Sequence, residues 1–198
     1  MPEEKENSKE EIEAFPFIEG KTIDLVAGNS KWADLLCKWR NNPNVRHYDR
    51  NMWPLTLEDI KKHFEPSPDR RTRDFVIFTI YHKHDKRPIG LVGLEDINWV
   101  SRTANIFATI GEPDYWGKGI AIEANKLLIK YSFTELNLHK IYAGVYTPNK
   151  RSLRAVEKLG FEKEAILKEE GYVDGVYHDI HKFALFKRDW IKLNQKES

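Results

Sequence analysis

Two glycines, Gly117 and Gly119, stand one residue apart directly before a long stretch with helical periodicity. Glycines at this spacing let the backbone turn tightly and expose its N–H groups. The first turn of the helix that follows adds unpaired N–H groups and the positive end of the helix dipole. The stretch is therefore typical of a phosphate-binding turn, although the same glycines could serve only to shape the chain. It is not a P-loop, because Gly-Lys-Ser/Thr is absent, and the third glycine of a dinucleotide fingerprint is missing.

A second polar group follows the next predicted strand, where Asn149 and Ser152 open a helix that runs to Leu159. A right-handed crossover between parallel strands brings both strand ends to one edge of the sheet. Ligands enter open α/β sheets at that edge. We therefore expect Asn149 and Ser152 to face the same cleft as residues 117–122. Taken alone, each is also typical of a helix start, Asn149 as the cap and Ser152 as a first-turn residue.

The hydrophobic pattern predicts the sheet and helices that would position these groups. The predicted order is a strand, two helices, a three-stranded meander, a long helix, a strand, a helix and a final strand pair. This order is typical of one mixed α/β domain centred on a strand–helix–strand unit. The predicted strands lie at 19–26, 75–81, 89–94, 104–110 and 140–146 with a pair within 161–188, the helices at 30–41, 56–64, 120–136 and 151–159, and a loop at 66–72.

Composition excludes several classes of protein. The 198 residues suit one domain, and 40% hydrophobic with 32% charged residues is typical of a globular protein. A net charge of +1 argues against a protein that mainly binds nucleic acid. The one cysteine, Cys37, excludes an intrachain disulfide and a cysteine-based zinc site, so no metal is expected.

The first residues of the chain and its hydropathy predict the location of the protein in the cell. No apolar run is long enough to span a membrane, and the first residues lack the pattern of a secretion signal. The expected location is therefore the cytoplasm, without membrane association. Residues 1–13 are predicted to be a flexible acidic tail before a domain at 14–198.

As a set, these motifs resemble the GCN5-related N-acetyltransferase (GNAT) superfamily. The similarity is greatest to the branch with ribosomal-protein alanine acetyltransferases and polyamine acetyltransferases, and it extends over roughly 20–190. The resemblance implies a single α+β domain, with a mixed, mostly antiparallel sheet whose middle strands splay apart, flanked by about four helices. The stretches that carry it are 39–46, 113–124, 149–152, 157–161 and 174–179.

The resemblance implies acetyl-CoA as the cofactor. The diphosphate would lie on the backbone N–H groups of the glycine turn, and the pantetheine arm would follow the end of the preceding strand. Asn149 would bond to the arm, and Ser152 would lie near the thioester sulfur. The implied cofactor-binding residues are Thr109, Ile110, Gly117, Lys118, Gly119, Ile120, Ala121, Ile122, Asn149 and Ser152.

The implied reaction is direct attack of a primary amine on the acetyl thioester, the amine being a protein N-terminus, a polyamine or an amino sugar. Ser152 is the predicted general acid, and a backbone N–H near Ile110 is the predicted oxyanion donor. The general base stays open between several groups. They are Glu95, Glu169 or Glu170, His178 and solvent water.

The acceptor pocket is expected between the two early helices and the last hairpin. Clustered aromatic side chains there could surround a cation, and they are equally consistent with a hydrophobic core. The oligomeric state is not readable from the sequence, and a homodimer is one candidate. The predicted substrate-binding residues are Arg46, His47, Tyr48, Trp53, Tyr172, Tyr177 and His178.

Three positions depart from the family pattern. Trp116 stands where the superfamily often has Gln or Arg, although this branch commonly has Trp there. Asn105 stands where this branch often has a glutamate. Gly171 stands where some ribosomal-protein enzymes have a glutamate. Two other functions therefore stay open. One is a non-catalytic acyl-CoA-binding module, and the other is a ribosome-associated protein that contacts RNA through residues 70–73 and 61–62.

Overall fold

An eight-stranded sheet forms the centre of the protein, in a computed structural model that describes residues 14–49, 52–65 and 73–196. The strand order is β1-β2-β3-β4-β5-β6-β8-β7, and β5 and β6 are parallel while the other neighbours are antiparallel. The predicted mixed, mostly antiparallel sheet is confirmed. The predicted tail 1–13 and loop 66–72 lie outside the described residues. The strands are β1 (Pro16–Glu19), β2 (Ile23–Ala27), β3 (Val76–His82), β4 (Arg87–Asn98), β5 (Thr103–Ile110), β6 (Lys140–Tyr146), β7 (Glu162–Val173) and β8 (Val176–Phe186).

Six α-helices accompany the sheet across the described ranges, rather than about four. Two of them were not predicted. The short helix α2 begins at Pro43, because proline suits the first helical position and the Asn42 side chain accepts a hydrogen bond from the Asn44 N–H. The helix α6 replaces the predicted end of the last strand, which stops at Phe186. The helices are α1 (Ala33–Asn41), α2 (Pro43–Arg46), α3 (Leu57–Lys62), α4 (Ile120–Thr134), α5 (Lys150–Lys158) and α6 (Lys187–Lys196).

The sheet has helices on both faces. Buried side chains of α4, including Leu128 and Phe133, belong to one hydrophobic cluster with Ile106 of β5 and Val156 of α5. Successive residues of a strand point to opposite faces, so Asn105, Phe107 and Thr109 point away from this cluster. We call that side the α1 face, because Trp39 of α1 packs there against Gly111. A β-carbon at Gly111 would lie 2.1 Å from the Trp39 ring, so only glycine allows this approach.

The parallel strands β5 and β6 separate soon after they meet. They pair at Thr103–Asn105 with Lys140–Tyr142, and no later residues of the two strands pair with each other. Strand β5 continues on β4 as far as Ile110, and β6 continues on β8 as far as Tyr146. The result is a wedge-shaped opening in the sheet, which confirms the predicted splayed strands. Over the described ranges, none of the helices combines the length and the hydropathy needed to cross a membrane.

Candidate functional site

The opening between β5 and β6 is a cleft of about 230 Å³. Its walls are the diverging halves of the two strands, the starts of α4 and α5, and the end of α2. The cleft therefore brings together residues from five elements of the fold. The predicted site residues among its lining are Tyr48, Thr109, Ile110, Ala121, Asn149 and Ser152.

The glycine turn lies at the edge of this cleft and is open to a ligand. Gly117 and Gly119 have φ of 76° and 80°, a left-handed conformation that favours glycine. A β-carbon built on either would have no atom within 4 Å, so the space outside the turn is open. Within the part of the chain that the structure describes, no side chain caps the first turn of α4. Its N–H groups can therefore serve an anionic ligand such as a diphosphate.

The residues predicted around the turn have different positions. Ala121 lines the cleft, whereas Ile120 is buried and Ile122 packs against the hydrophobic core. Their side chains therefore anchor α4. These two residues would contact a ligand only through their backbone N–H groups. Gly117, Lys118 and Gly119 are exposed at the cleft edge.

Two carboxylates hold the segment that leads into the glycine turn. Glu112 accepts a hydrogen bond from Nε1 of Trp39 at 2.8 Å and lies 3.3 Å from Arg87. Asp85, in the β3–β4 turn, accepts a short hydrogen bond from the hydroxyl of Tyr115. The hydrogen bond from Tyr115 is the main cause, and one with His84 the next, of a pKa of Asp85 lowered to about 2. The segment is thereby fixed to α1 and to the β3–β4 turn.

Asn149 serves both as a helix cap and as part of the cleft wall. Its Oδ1 accepts a hydrogen bond from the Ser152 N–H at 3.1 Å, which caps α5. The side chains of both residues line the cleft. The Ser152 hydroxyl forms no hydrogen bond within the described part of the chain, so it is available to a ligand.

Glu95 is the candidate base that lies beside the wedge of the sheet. Its Oε1 accepts a hydrogen bond from Nδ2 of Asn105 at 2.6 Å, on the α1 face. Asn105 pairs with Tyr142 at the last paired position before β5 and β6 separate. Burial, and then the charges of Asp96 and Glu95, raise the pKa of Tyr142 above its usual value.

The other candidate bases lie on the hairpin of β7 and β8. Glu169 has φ of 52° at an irregularity in the ladder, where its N–H donates to Asp179 at 3.0 Å. Glu170 is exposed, and His178 is half-buried opposite Gly171. Neither these three residues nor Glu95 is among the residues that line the cleft.

The predicted substrate-binding residues fall into three places. Tyr48 lines the cleft, and its ring centroid lies 6.3 Å from that of Tyr146. Arg46 and Trp53 instead line a separate pocket of about 140 Å³. The remaining residues lie at or near the tip of the β7–β8 hairpin. Nε2 of His47 lies 3.4 Å from Oδ2 of Asp174, and the tilted rings of Tyr172 and Tyr177 have centroids 4.9 Å apart, with His178 next in β8.

Gly171 has a packing role that explains why no glutamate stands there. A β-carbon at Gly171 would lie 2.2 Å from the ring of Tyr146. The glycine therefore allows Tyr146 to occupy its place in the cleft wall. A side chain at position 171 would force the ring to move.

Sequence reasoning missed most other residues of the cleft, among them Asp49, Trp116, Tyr146 and Arg151. Nε1 of Trp116 donates to the Ile110 carbonyl at 2.8 Å, and the Arg151 guanidinium lies 4.5 Å from the centre of the Trp116 ring. Arg151 directly precedes the predicted Ser152 in the sequence, and this position could have identified it as a site residue. No sequence signal marks Asp49 and Tyr146, because the separation of the strands brings them to the cleft.

Within the described ranges, no three His, Cys, Asp or Glu side chains form a group that could hold a metal ion.

Comparison with known proteins identifies similar chains. The model of the acetyltransferase (GNAT) domain family matches residues 27–162. Spermidine N(1)-acetyltransferase of Escherichia coli K12 is 36% identical over 138 residues, which are 69% of this chain and 69% of that protein. The putative ribosomal N-acetyltransferase YdaF of Bacillus subtilis 168 is 33% identical over 107 residues, or 54% of this chain and 58% of that protein.

A solved structure is similar over most of the fold. Spermidine N-acetyltransferase from Vibrio cholerae, in complex with CoA and spermine, has a TM-score of 0.77 and 26% identity, covering 86% of this chain and 98% of that chain. The same enzyme has also been solved as a dodecamer, with a TM-score of 0.72, 26% identity and coverage of 87% and 98%.

Proposed function

Because the chain belongs to the GNAT acetyltransferase family, we propose that the acceptor of its acetyl group is a polyamine. The chain is an acetyl-CoA-dependent N-acetyltransferase that acts on a primary amine. The observation that carries the polyamine proposal is the end of the cleft beside α2. There the carboxylate of Asp49 and the rings of Tyr48 and Tyr146 line one wall.

This wall suits an acceptor with several positive charges. The reacting nitrogen must lose a proton, while the other amines of a polyamine stay charged and need partners. Tyrosine rings and a carboxylate attract such ammonium groups. Asp174 adds a second carboxylate at the hairpin tip, where it is 73% exposed. A polyamine could extend from the cleft toward this tip.

The candidate acid and the candidate base lie on opposite faces of the sheet, which suits direct attack of the amine on the thioester. Ser152 reaches the cleft from α5, which packs on the same side as α4, whereas Glu95 lies on the α1 face. The wedge between β5 and β6 connects these two sides. We propose that the Ser152 hydroxyl protonates the leaving thiolate from one side, while Glu95, through a water molecule, receives the proton of the amine from the other.

The chain's own residues fit the cofactor. Acetyl-CoA supplies the activated acetyl group when it is bound. The uncapped N–H groups of the glycine turn and of α4 would hold its diphosphate, and Asn149 with the end of β5 at Thr109 and Ile110 would position the arm.

Residues 14–198 would form one catalytic domain. The cytoplasmic location and the homodimer predicted from the sequence stay predictions, although the V. cholerae enzyme forms a dodecamer.

A panel of acceptor amines tests the polyamine proposal. CoA thiol release is measured at fixed acetyl-CoA with spermidine, spermine, short peptides with free N-termini and an amino-sugar nucleotide. We expect kcat/KM for a polyamine to exceed that for the peptides by about 100-fold or more, because two extra charged contacts each contribute about 1–2 kcal/mol. The similarity to the ribosomal enzyme of B. subtilis makes a protein N-terminus the second candidate, and faster turnover of the peptides would favour it over the polyamine.

Removal of the Asp49 charge should weaken polyamine binding. We expect Asp49→Asn to raise KM for the polyamine about 10-fold with kcat nearly unchanged, because one charged contact is lost. Asp49 also lies 2.9 Å from Arg40, so a matched variant is needed to separate the two roles. Arg40→Met keeps the carboxylate and should leave KM unchanged or lower it. If both variants raise KM equally, the pair is structural and Asp49 does not bind the acceptor.

A further inference from the structure

Among the described residues, the guanidinium group of Arg151 has no carboxylate partner, and it lies at the cleft. Arg151 lines the cleft from α5, and no ion pair of this side chain is formed within the described ranges. The first turn of α5 has no acidic residue, and Asp49, the carboxylate of the cleft wall, lies against Arg40 instead. A guanidinium with free donors matches the oxygens of a phosphate group better than any other side chain.

The ring of Trp116 holds this guanidinium in a fixed place. Cζ of Arg151 lies 4.5 Å from the ring centroid, the arrangement of a cation–π contact. The indole is itself fixed, because its Nε1 donates to the Ile110 carbonyl at 2.8 Å. Trp116 directly precedes Gly117, so the positive charge of Arg151 lies beside the glycine turn.

We propose that Arg151 binds the diphosphate of the cofactor, with Trp116 as its positioning residue. The two sets of donors come from two helices, the backbone N–H groups from the start of α4 and the guanidinium from the start of α5. A diphosphate at the glycine turn would meet donors from both. The inference rests on the use of acetyl-CoA in the proposed function, and it does not depend on which amine is the acceptor.

The Arg151→Met variant tests this role, because methionine keeps an unbranched apolar stem and removes the charge. The dissociation constant of CoA, measured by calorimetry on the full chain, should rise about 10- to 100-fold, as expected for the loss of a charge-assisted hydrogen bond. Dephospho-CoA keeps the diphosphate and should show the same rise. Acetyl-pantetheine has no phosphate group and should bind the parent and the variant equally.

Arg154→Met is the matched control, because Arg154 is exposed on the same helix and does not line the cleft. This control should change the dissociation constant of CoA by less than about threefold, since salt screens distant exposed charges. In a Trp116→Leu background, the Arg151→Met change should have a smaller effect, because the guanidinium is no longer positioned.

Several results would overturn the inference. They are CoA binding by Arg151→Met within twofold of the parent, an equal loss in Arg154→Met, an equal loss with acetyl-pantetheine, or an undiminished loss in the Trp116→Leu background. A loss with CoA but not with dephospho-CoA would assign Arg151 to the 3′-phosphate and not to the diphosphate. Normal CoA binding without acetylation of polyamines would overturn only the proposed acceptor.

Discussion

Replacement of Ser152 by alanine is expected to lower kcat about 100-fold, because a positioned general acid contributes a factor of this order. The hydroxyl lines the cleft and has no hydrogen-bond partner within the described residues. The cap of α5 should survive, because the backbone N–H of residue 152 donates to Asn149, and alanine keeps that N–H. The dissociation constant of acetyl-CoA should therefore change less than about threefold.

Steady-state thiol release and calorimetry separate these two effects. Ser152→Thr keeps a hydroxyl at the same position and should recover part of the lost kcat, which makes it the matched variant. If Ser152→Ala has the kcat of the parent, Ser152 is not the general acid, and the leaving thiolate is protonated by solvent.

Replacement of Glu95 by glutamine should lower kcat/KM about 100-fold near neutral pH, if Glu95 receives the proton of the amine. Glutamine has nearly the same shape, and its amide oxygen can still accept the hydrogen bond from Asn105. Packing at the β4–β5 ladder is thereby kept while the negative charge is lost. Steady-state thiol release with a polyamine acceptor measures this loss.

The pH–rate profile identifies the base among the four candidates. Glu169→Gln, Glu170→Gln and His178→Gln change the hairpin and should keep the profile of the parent, since these residues belong to β7 and β8 and do not line the cleft. A shifted profile in one of them would transfer the role to that residue. If all four variants, including Glu95→Gln, keep the parent profile, no one of these side chains is the base and solvent carries the proton.

Local signals made the core of the site predictable. The glycine turn, the helix that follows it and the Asn149 cap each depend on residues within a few positions of one another. The capping box of Thr56 and Asp59 likewise forms as its sequence predicts. Helix α4 begins at Ile120 as predicted and ends at Thr134, two residues early.

Other features depend on contacts between distant parts of the chain. Proline is typical both of a helix end and of a first helical position, so Pro43 did not reveal α2. Helix α6 is held by packing of Trp190 against Phe133, at 5.5 Å between ring centroids, which no local pattern encodes. The four residues of β1 are too few for a periodic signal. The contact of Arg151 with Trp116 connects the start of α5 to the segment just before α4, and only the structure reveals it.

The separation of β5 and β6 leaves the sheet incomplete until a ligand fills the gap. Backbone groups of Ile106–Ile110 and Ala143–Tyr146 that face the gap have no strand partner across it. A ligand that binds only the folded chain stabilises it by RT ln(1 + [L]/Kd), or about 2.7 kcal/mol at one hundred times Kd. The fraction of unfolded chain open to proteolysis therefore falls as the cofactor concentration rises. Proteolysis of the purified chain should accordingly slow as acetyl-CoA is added.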